Sequence, residues 1–345
     1  MAVSLKPGAE PRRTGRNPIV AEDRRAGLVF ILPAMLVFGV FTFGAILFAV
    51  FISFHQWKLT DKGGIAQLLA HPWDTWIGFD NYREIFRNSD FWNAFRNTTW
   101  YAVGVVPAQT VTGLTLAVLA NRKIRGKTFF RTAFYFPSIS SSVVIAIIFL
   151  WMYSARGPIN FMLGKLGVPL PKPVWLSNPT GIVELALRQI GINHVSVWLQ
   201  GPSLALLSIM LLNIWTTTGT MMVIFLAGLQ NIPGDVYEAA AVDGATRGPM
   251  FRDITVPLLK PVTSFVVTVG LIGTFQVFDQ IWVMSQGGNG GPYRTTVTLA
   301  FLVYLEAFQQ GRGLGYASAL AIVLFLIILV LYLIQRRIAD EPNTN

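Results

Sequence analysis

Residues 231–261, NIPGDVYEAAAVDGATRGPMFRDITVPLLKP, form a hydrophilic stretch between two strongly apolar segments. Pro233 suits the first position of a helix, where its missing N–H is not needed. The acids Asp235 and Glu238 follow in the first turns, where carboxylates favour the positive end of the helix. Alanines propagate the helix, and Gly244 can adopt the left-handed conformation that ends it. The stretch therefore predicts a short helix exposed to water.

A second short helix is expected after this one, capped by Thr246 and running through about Ile254, before Pro257 and Pro261. The small alanines of the first helix would let another backbone approach closely, and Glu238 supplies one ionisable group. These properties suit insertion into a groove on a partner protein. From the residues alone, an ordinary interhelical loop with good caps is the alternative.

The composition of the chain indicates a membrane protein. Of its 345 residues, 53% are hydrophobic and 13% are charged, against about 25% charged in soluble domains. The net charge of +10 does not indicate nucleic-acid binding, because the basic residues lie in the gaps between apolar runs and form no clustered face. With no cysteine, and with His55, His71 and His194 far apart, no metal site is predicted.

Six apolar runs predict an all-α membrane protein with six transmembrane helices. The predicted spans are 28–54, 100–119, 132–153, 204–226, 263–283 and 316–334. They form one transmembrane domain over 27–337, with a disordered tail at 1–26, a second tail at 338–345 and the loop 229–261 between spans four and five. A short amphipathic helix is expected over 181–192.

The distribution of basic residues predicts the orientation. The two tails and the loops 121–131 and 229–261 together carry 16 lysines and arginines, whereas the opposite segments carry 10, with Arg96 at a boundary. Cytoplasmic loops carry the excess of positive charge. Both termini and the stretch 231–261 are therefore expected to face the cytoplasm.

The chain lacks an evident energy source of its own. Gly126-Lys127-Thr128 is not a phosphate-binding loop, because Asn121 stands where the motif requires glycine and a membrane helix precedes it. Within the predicted spans only Asp279 is charged, whereas ion-coupled carriers place ionisable groups near mid-membrane. If the protein transports a solute, another subunit must supply the energy.

The motif Glu238-Ala239-Ala240 with Asp243-Gly244-Ala245 resembles the EAA motif of permease subunits of binding-protein-dependent ABC importers. Similar agreement extends over about 28–337, and the lead-in 228–233 resembles the family's sugar-permease branch. The other resembling segments are 78–82, 97–98, 125–132, 278–284 and 290–292. The chain departs from the family at 44–46, at the GGNGGP sequence of 287–292, and at an apparent insertion over about 180–202.

The resemblance implies a transport subunit of a bacterial or archaeal cytoplasmic (inner) membrane, which does not itself hydrolyse ATP. Residues Glu238 to Gly244 would be the coupling helix held in a cleft of an ATPase, with Glu238 paired to a basic residue. The implied partners are a second permease subunit, two ATPase subunits that bind ATP and magnesium, and an extracytoplasmic solute-binding protein.

A sugar is the substrate that the resemblance implies, and polar and aromatic residues of the spans are candidates for its path. These candidates are Asn213, Trp215, Thr216 and Gln276. Each could instead bond across helices or to its own backbone. The scarcity of charge in the spans disfavours glycerol phosphate or a polyamine, which the same family also carries, and a partner-independent channel or carrier is the remaining alternative.

Overall fold

The computed structural model describes residues 18–61, 63–122, 126–167, 174–192, 195–285, 288–309 and 311–340. These residues are largely helical. No strand occurs among them, apart from isolated bridges that pair His55 with Trp76 and Gly181 with Ser203. The prediction of an all-α fold is confirmed.

The chain divides into two compact units, residues 1–51 and 52–345. Along the first unit, α1 (Pro18–Val37) continues through a π-helical turn (Phe38–Gly44) into α2 (Ala45–Ile52). The helix therefore begins inside the tail expected to be disordered over 1–26, because Pro18 is well suited to a first helical position; residues 1–17 lie outside the described ranges. Val29–Ile52 is long and apolar enough to cross a membrane, close to the predicted span 28–54.

The second unit contains the remaining helices. Those of its first half are α3 (Gly64–Ala70), α4 (Asp80–Arg87), α5 (Ser89–Asn121), α6 (Lys127–Ile139), α7 (Ser142–Met152), α8 (Pro158–Lys165) and α9 (Ile182–Gln189). Those of its second half are α10 (Leu204–Gln230), α11 (Gly234–Val242), α12 (Arg247–Pro249), α13 (Val256–Leu258), α14 (Lys260–Phe275), α15 (Asp279–Met284), α16 (Leu299–Tyr304) and α17 (Leu314–Asp340). Turns of 3₁₀ helix occur at Pro72–Asp74 and Pro292–Arg294, and π-helical turns at Met250–Thr255 and Leu305–Gln309.

Within the second unit, α5, α10 and α17 are each long and apolar enough to span a membrane. Two bent helix pairs pass the same test, α6 with α7 and the Arg247–Leu258 segment with α14, which gives up to six spans when Val29–Ile52 is included. Helices α5 and α17 extend beyond the predicted spans 100–119 and 316–334, because their polar end turns continue the helix outside the apolar run. Helix α9 confirms the helix expected over 181–192.

The third predicted span is not one straight helix. Helices α6 and α7 meet at an angle of 96°, so the prediction of an unbroken helix over 132–153 is wrong at Ser140 and Ser141. The Ser140 hydroxyl donates to the carbonyl of Phe136 at 3.0 Å, and Ser141 is the residue before the first turn of α7. Serines compete in this way for backbone groups and favour helix ends.

The fifth predicted span also differs from the structure. Helix α14 ends at Phe275, and a separate short helix, α15, begins at Asp279. Asp279 therefore lies in the first turn of a helix, where its carboxylate faces the positive end of the helix dipole, rather than inside a continuous span over 263–283. This position accounts for the one charge that the sequence placed in the membrane.

Helices α5 and α10 form the centre of the second unit and pack along much of their length. A β-carbon on Gly113 of α5 would lie 2.7 Å from Cβ of Met221, and one on Gly219 of α10 would lie 2.9 Å from Cα of Tyr135 in α6. Small residues permit such close approach between membrane helices, where packing rather than water exclusion drives association. These two glycines bring α5, α6 and α10 together around the site described next.

Candidate functional site

Helix α11 contains the predicted coupling residues. Pro233 precedes the helix with φ −59° and ψ 138°, so Gly234, and not Pro233, is the first helical residue. Asp235 lies in the first turn as predicted. The helix has nine residues, too few for stability in isolation, so contacts with the rest of the protein must hold it.

The C-terminal end of α11 is a Schellman motif. The N–H of Ala245 donates to the carbonyl of Ala240 at 2.9 Å, and the N–H of Gly244 donates to the carbonyl of Ala241 at 3.1 Å. Gly244 has φ +80°, and no atom lies within 4 Å of the position that its β-carbon would take. Glycine is therefore required here by the left-handed backbone and not by lack of space.

The surface of α11 is largely uncovered. Glu238, Ala239 and Asp243 are exposed, Val242 is 88% exposed, and Ala240 is buried. None of the ion pairs among the described residues involves Glu238. The helix thus presents an apolar residue, small residues and a carboxylate without an ionic partner to whatever lies beside it.

A second helical segment fixes α11 to the membrane helices. The hydroxyls of Tyr237 and Thr255 lie 3.0 Å apart, and Leu259 is buried in a cluster with Leu229 of α10. The segment Arg247–Leu258 then meets α14 at an angle of 64°. It extends past the predicted end near Ile254, with a π-helical turn at Met250–Thr255 immediately before Pro257.

A second candidate site is a cavity of about 290 Å³ among α5, α6, α7, α10, α14 and α15. Its lining is rich in hydroxyl and amide side chains and includes no charged residue. The polar lining residues are Gln109, Ser138, Ser140, Ser142, Asn213, Thr216, Thr217, Thr220, Thr274 and Gln280. Such a cavity can donate and accept hydrogen bonds without imposing a charge.

The structure brings two of the four predicted path residues to this cavity. Asn213 and Thr216 line it. Trp215 lines a different, mainly apolar cavity of about 410 Å³ between α5, α6 and α10, because successive residues of a helix point about 100° apart. Gln276 is exposed where α14 ends and is not part of the lining.

Several cavity residues were not among the predictions. Gln109 is the one side-chain amide in the predicted span 100–119, and Ser138, Ser140 and Ser142 alternate in the third span. An isolated amide in a membrane helix and a run of serines were both available signals. Gln280 had no such signal, because the break after Phe275 that turns it toward the cavity is not evident from composition.

Gln109 is the most constrained of these residues. It is 1% exposed, and its Oε1 lies 2.7 Å from the hydroxyl of Thr217. That hydroxyl also lies 2.8 Å from the carbonyl of Asn213, and its single proton can serve only one of the two. Gln109 Nε2 has no hydrogen-bond partner among the described residues and lies beside Gly270. Since the carboxamide can be turned over, one of its polar atoms faces Gly270 unpaired in either orientation.

Ser138 connects α6 with the backbone of α10. Its hydroxyl donates to the carbonyl of Thr216 and accepts from the N–H of Thr220 at 3.1 Å. These are the two groups that an α-helix would pair with each other. The side chain is therefore inserted beside the backbone ladder of α10 at the level of the cavity, a known cause of local bending.

A cluster of charges lies in the segment between α15 and α17. Glu306 is fully buried, and its Oε1 lies 3.0 Å from a guanidinium nitrogen of Arg312. Arg312 also contacts the more exposed Glu84 at 3.3 Å. Burial raises the pKa of Glu306, and the positive charge of Arg312 opposes that rise.

Residues 109–341 match the model of the family described as binding-protein-dependent transport system inner membrane component. The chain belongs to this family. It is 33% identical to a probable ABC transporter permease protein, YesP, of Bacillus subtilis over 95% of this chain and 94% of the relative. It is 31% identical to the lactose transport system permease protein LacF of Rhizobium radiobacter over 91% of this chain and 94% of the relative.

Among solved structures, the chain is similar to one from a bacterial alginate ABC transporter in complex with alginate pentasaccharide-bound periplasmic protein. The TM-score is 0.70 at 21% sequence identity, over 94% of this chain and 99% of the other. This likeness shows the fold. The expected membership of the ABC importer permeases is confirmed.

Proposed function

We propose that this chain is the permease subunit of an ATP-driven importer and forms half of the translocation path for a sugar or oligosaccharide. The observation that carries the proposal is the cavity of about 290 Å³ whose lining is rich in hydroxyls and amides and includes no charged residue. Sugar hydroxyls both donate and accept hydrogen bonds, as do serine, threonine, asparagine and glutamine side chains. The curated relatives named for lactose and for multiple sugars support this substrate class.

The mechanism follows from the connection between α11 and the cavity. Residues Glu238, Ala239, Ala240, Asp243, Gly244 and Ala245 would occupy a cleft of a cytoplasmic ATPase subunit, with Glu238 paired to a basic residue. Leu259 joins this region to α10 and α14, both of which line the cavity. Closure of the ATPases would move α11 and change the access of the cavity from one side of the membrane to the other.

The partners of this assembly are a second permease subunit, two ATPase subunits and an extracytoplasmic solute-binding protein. ATP and magnesium belong to the ATPase subunits, and this chain is a transport subunit without a catalytic role. Both termini and α11 lie on the cytoplasmic side of a bacterial or archaeal inner membrane. The excess of basic residues in those segments supports this orientation.

The test is uptake by the assembled transporter in proteoliposomes, with neutral sugars, glycerol phosphate and a polyamine as separate substrates. We expect ATP-dependent uptake of a neutral sugar and none of the charged solutes, since the cavity lining offers no countercharge. Uptake restricted to a charged solute would overturn the substrate class. Solute movement through this chain alone, without ATP, would support a channel or carrier instead.

A further inference from the structure

The loop after α15 contains a run of left-handed backbone. Gly290 and Gly291 have φ +79° and +68°, and Tyr293 and Arg294 have φ +51° and +58°. Tyr293 and Arg294 are the two residues other than glycine with positive φ in the described part of the chain. Such a conformation costs about 1–2 kcal/mol per residue that has a β-carbon. It persists only where the surroundings enforce it.

The first turns of α5 supply that enforcement. Side-chain amides of Asn93 and Asn97 donate to the carbonyl of Arg294 at 3.1 and 3.3 Å. The guanidinium of Arg294 lies 2.8 Å from the carboxylate of Asp90. Further along, Asn97 donates to the carbonyl of Val297 at 2.9 Å. Four contacts therefore hold a strained loop rigidly against a long helix.

The rigid loop presents one large side chain. Tyr293 is 87% exposed, and no ring or hydrogen-bonding group among the described residues contacts its side chain. Tyrosine offers a large contact area for little loss of conformational entropy, and it is enriched at the energetic centres of protein interfaces. Backbone strain that holds an uncovered aromatic outward has no evident benefit to the folded subunit itself.

We propose that Tyr293 is the anchor through which this subunit binds the extracytoplasmic solute-binding protein. The proposal rests on the proposed function, which places this loop outside the cell. The surroundings favour a protein partner over lipid, because the loop is flanked by polar and charged groups such as Arg294, Asp90 and Asn93. The segment around Trp198, by contrast, exposes Val197 and Leu199 together, as expected of a lipid contact.

The loop is also directly connected to the cavity. It follows α15, which contributes Gln280 to the cavity lining. A binding protein anchored at Tyr293 would thus sit above the helix that lines the path, where it can release its solute. The anchor assigns a position to the docked protein and not merely an affinity.

Photocrosslinking tests the identity of the partner. The residue p-benzoylphenylalanine replaces Tyr293 in the assembled transporter in native membranes, and irradiated adducts are identified by mass spectrometry. The expected adduct contains the solute-binding protein. The matched control replaces Phe129, which is exposed in the loop predicted to face the cytoplasm, and should give no such adduct. Adducts at position 293 with lipid alone, or with the second permease alone, overturn the proposal.

An affinity measurement tests the role of the ring. Tyr293→Asn keeps a residue that tolerates left-handed backbone and removes the aromatic group, whereas Tyr293→Phe keeps the ring. We expect the first variant in nanodiscs to bind the purified solute-binding protein about tenfold or more weakly, and the second to bind within about threefold of the parent. Trp73→Asn, at another exposed aromatic, is the control and should bind normally.

Unchanged affinity of Tyr293→Asn would overturn the anchor. That failure is distinguishable from failure of the proposed function, because ATP-driven sugar uptake by the parent transporter would be unaffected by it.

Discussion

The carboxamide of Gln109 lies against Gly270, in the space that a β-carbon on that glycine would need. The two residues belong to α5 and α14 and line the same cavity. On its other side the carboxamide contacts Thr217 of α10. Any side chain at position 270 must therefore displace Gln109 and disturb the contact that joins α5 to α10.

Gly270→Ala should impair solute binding through this displacement. Loss of one hydrogen-bonding group corresponds to about 1 kcal/mol, or about a fivefold rise in the KM for uptake. Gly273→Ala is a closely matched control, because Gly273 lines the same cavity and has no atom within 4 Å of its β-carbon position. Equal KM values for the two variants would contradict the importance of the Gln109 position.

Gln109→Leu should separate binding from stability. The change removes a buried amide with an unpaired polar atom, which costs about 1–3 kcal/mol in a folded protein. We expect the Tm in detergent to stay the same or rise while the KM for sugar uptake rises about fivefold. Thr115→Val, in the separate apolar cavity, should leave the KM unchanged. A lower Tm with an unchanged KM would make Gln109 purely structural.

Glu238→Lys should abolish association with the ATPase subunits while the protein still inserts in the membrane. The side chain is exposed, so the reversed charge harms only a partner that supplies a basic group. Glu238→Gln should retain part of the association, because it keeps the shape and loses the charge. Co-purification of the ATPase measures the effect. Asp74→Lys, at an exposed acid on the predicted outer side, is the control.

Gly244→Ala and Gly248→Ala form a pair that isolates backbone strain. Both glycines have open space around the β-carbon position, but only Gly244 has a left-handed φ. We expect the first substitution to cost about 1–2 kcal/mol in local stability and to reduce ATPase activity coupled to transport. The second should be neutral or slightly stabilising, because alanine favours helix. Similar coupled ATPase rates in both variants would argue against a required turn.

Glu306 should make stability fall as pH rises. Burial raises its pKa in the folded protein above the ordinary value of 4.5, so the folded state binds the proton more tightly than the unfolded state. Stability is then greatest below 4.5 and declines as pH rises through the folded pKa. Between about pH 4 and about pH 8, Tm should fall more steeply in the parent than in Glu306→Gln. Glu84→Gln, at the exposed partner of Arg312, should keep the parent's slope.

The coupling stretch was largely predictable because its determinants are local. Gly244, Asp235 and the alanines act through capping and helix propensity, which depend on neighbours in the sequence. The structure moves Pro233 by one position and lengthens the second helix to Leu258. The match of residues Glu238 to Ala245 to a known motif added the partner, which no local property contains.

The cavity was only partly predictable because its determinants are not local. Asn213 and Thr216 line it and Trp215 does not, although all three lie within one turn of α10. Which face of a span meets its neighbours depends on close contacts such as those of Gly113 and Gly219, and on the break at Ser140. Apolar composition identifies a span but does not specify its rotation or its bends.

The insertion of Ser138 beside the backbone of α10 has a consequence for assembly. Because its hydroxyl satisfies both a carbonyl and an N–H of α10, separating α6 from α10 would leave those groups uncovered in hydrocarbon, at a cost of several kcal/mol each. The two helices consequently behave as one mechanical body. A displacement that enters α10 from α11 is transmitted to α6, and the kink at Ser140 is the first place where the chain can absorb it.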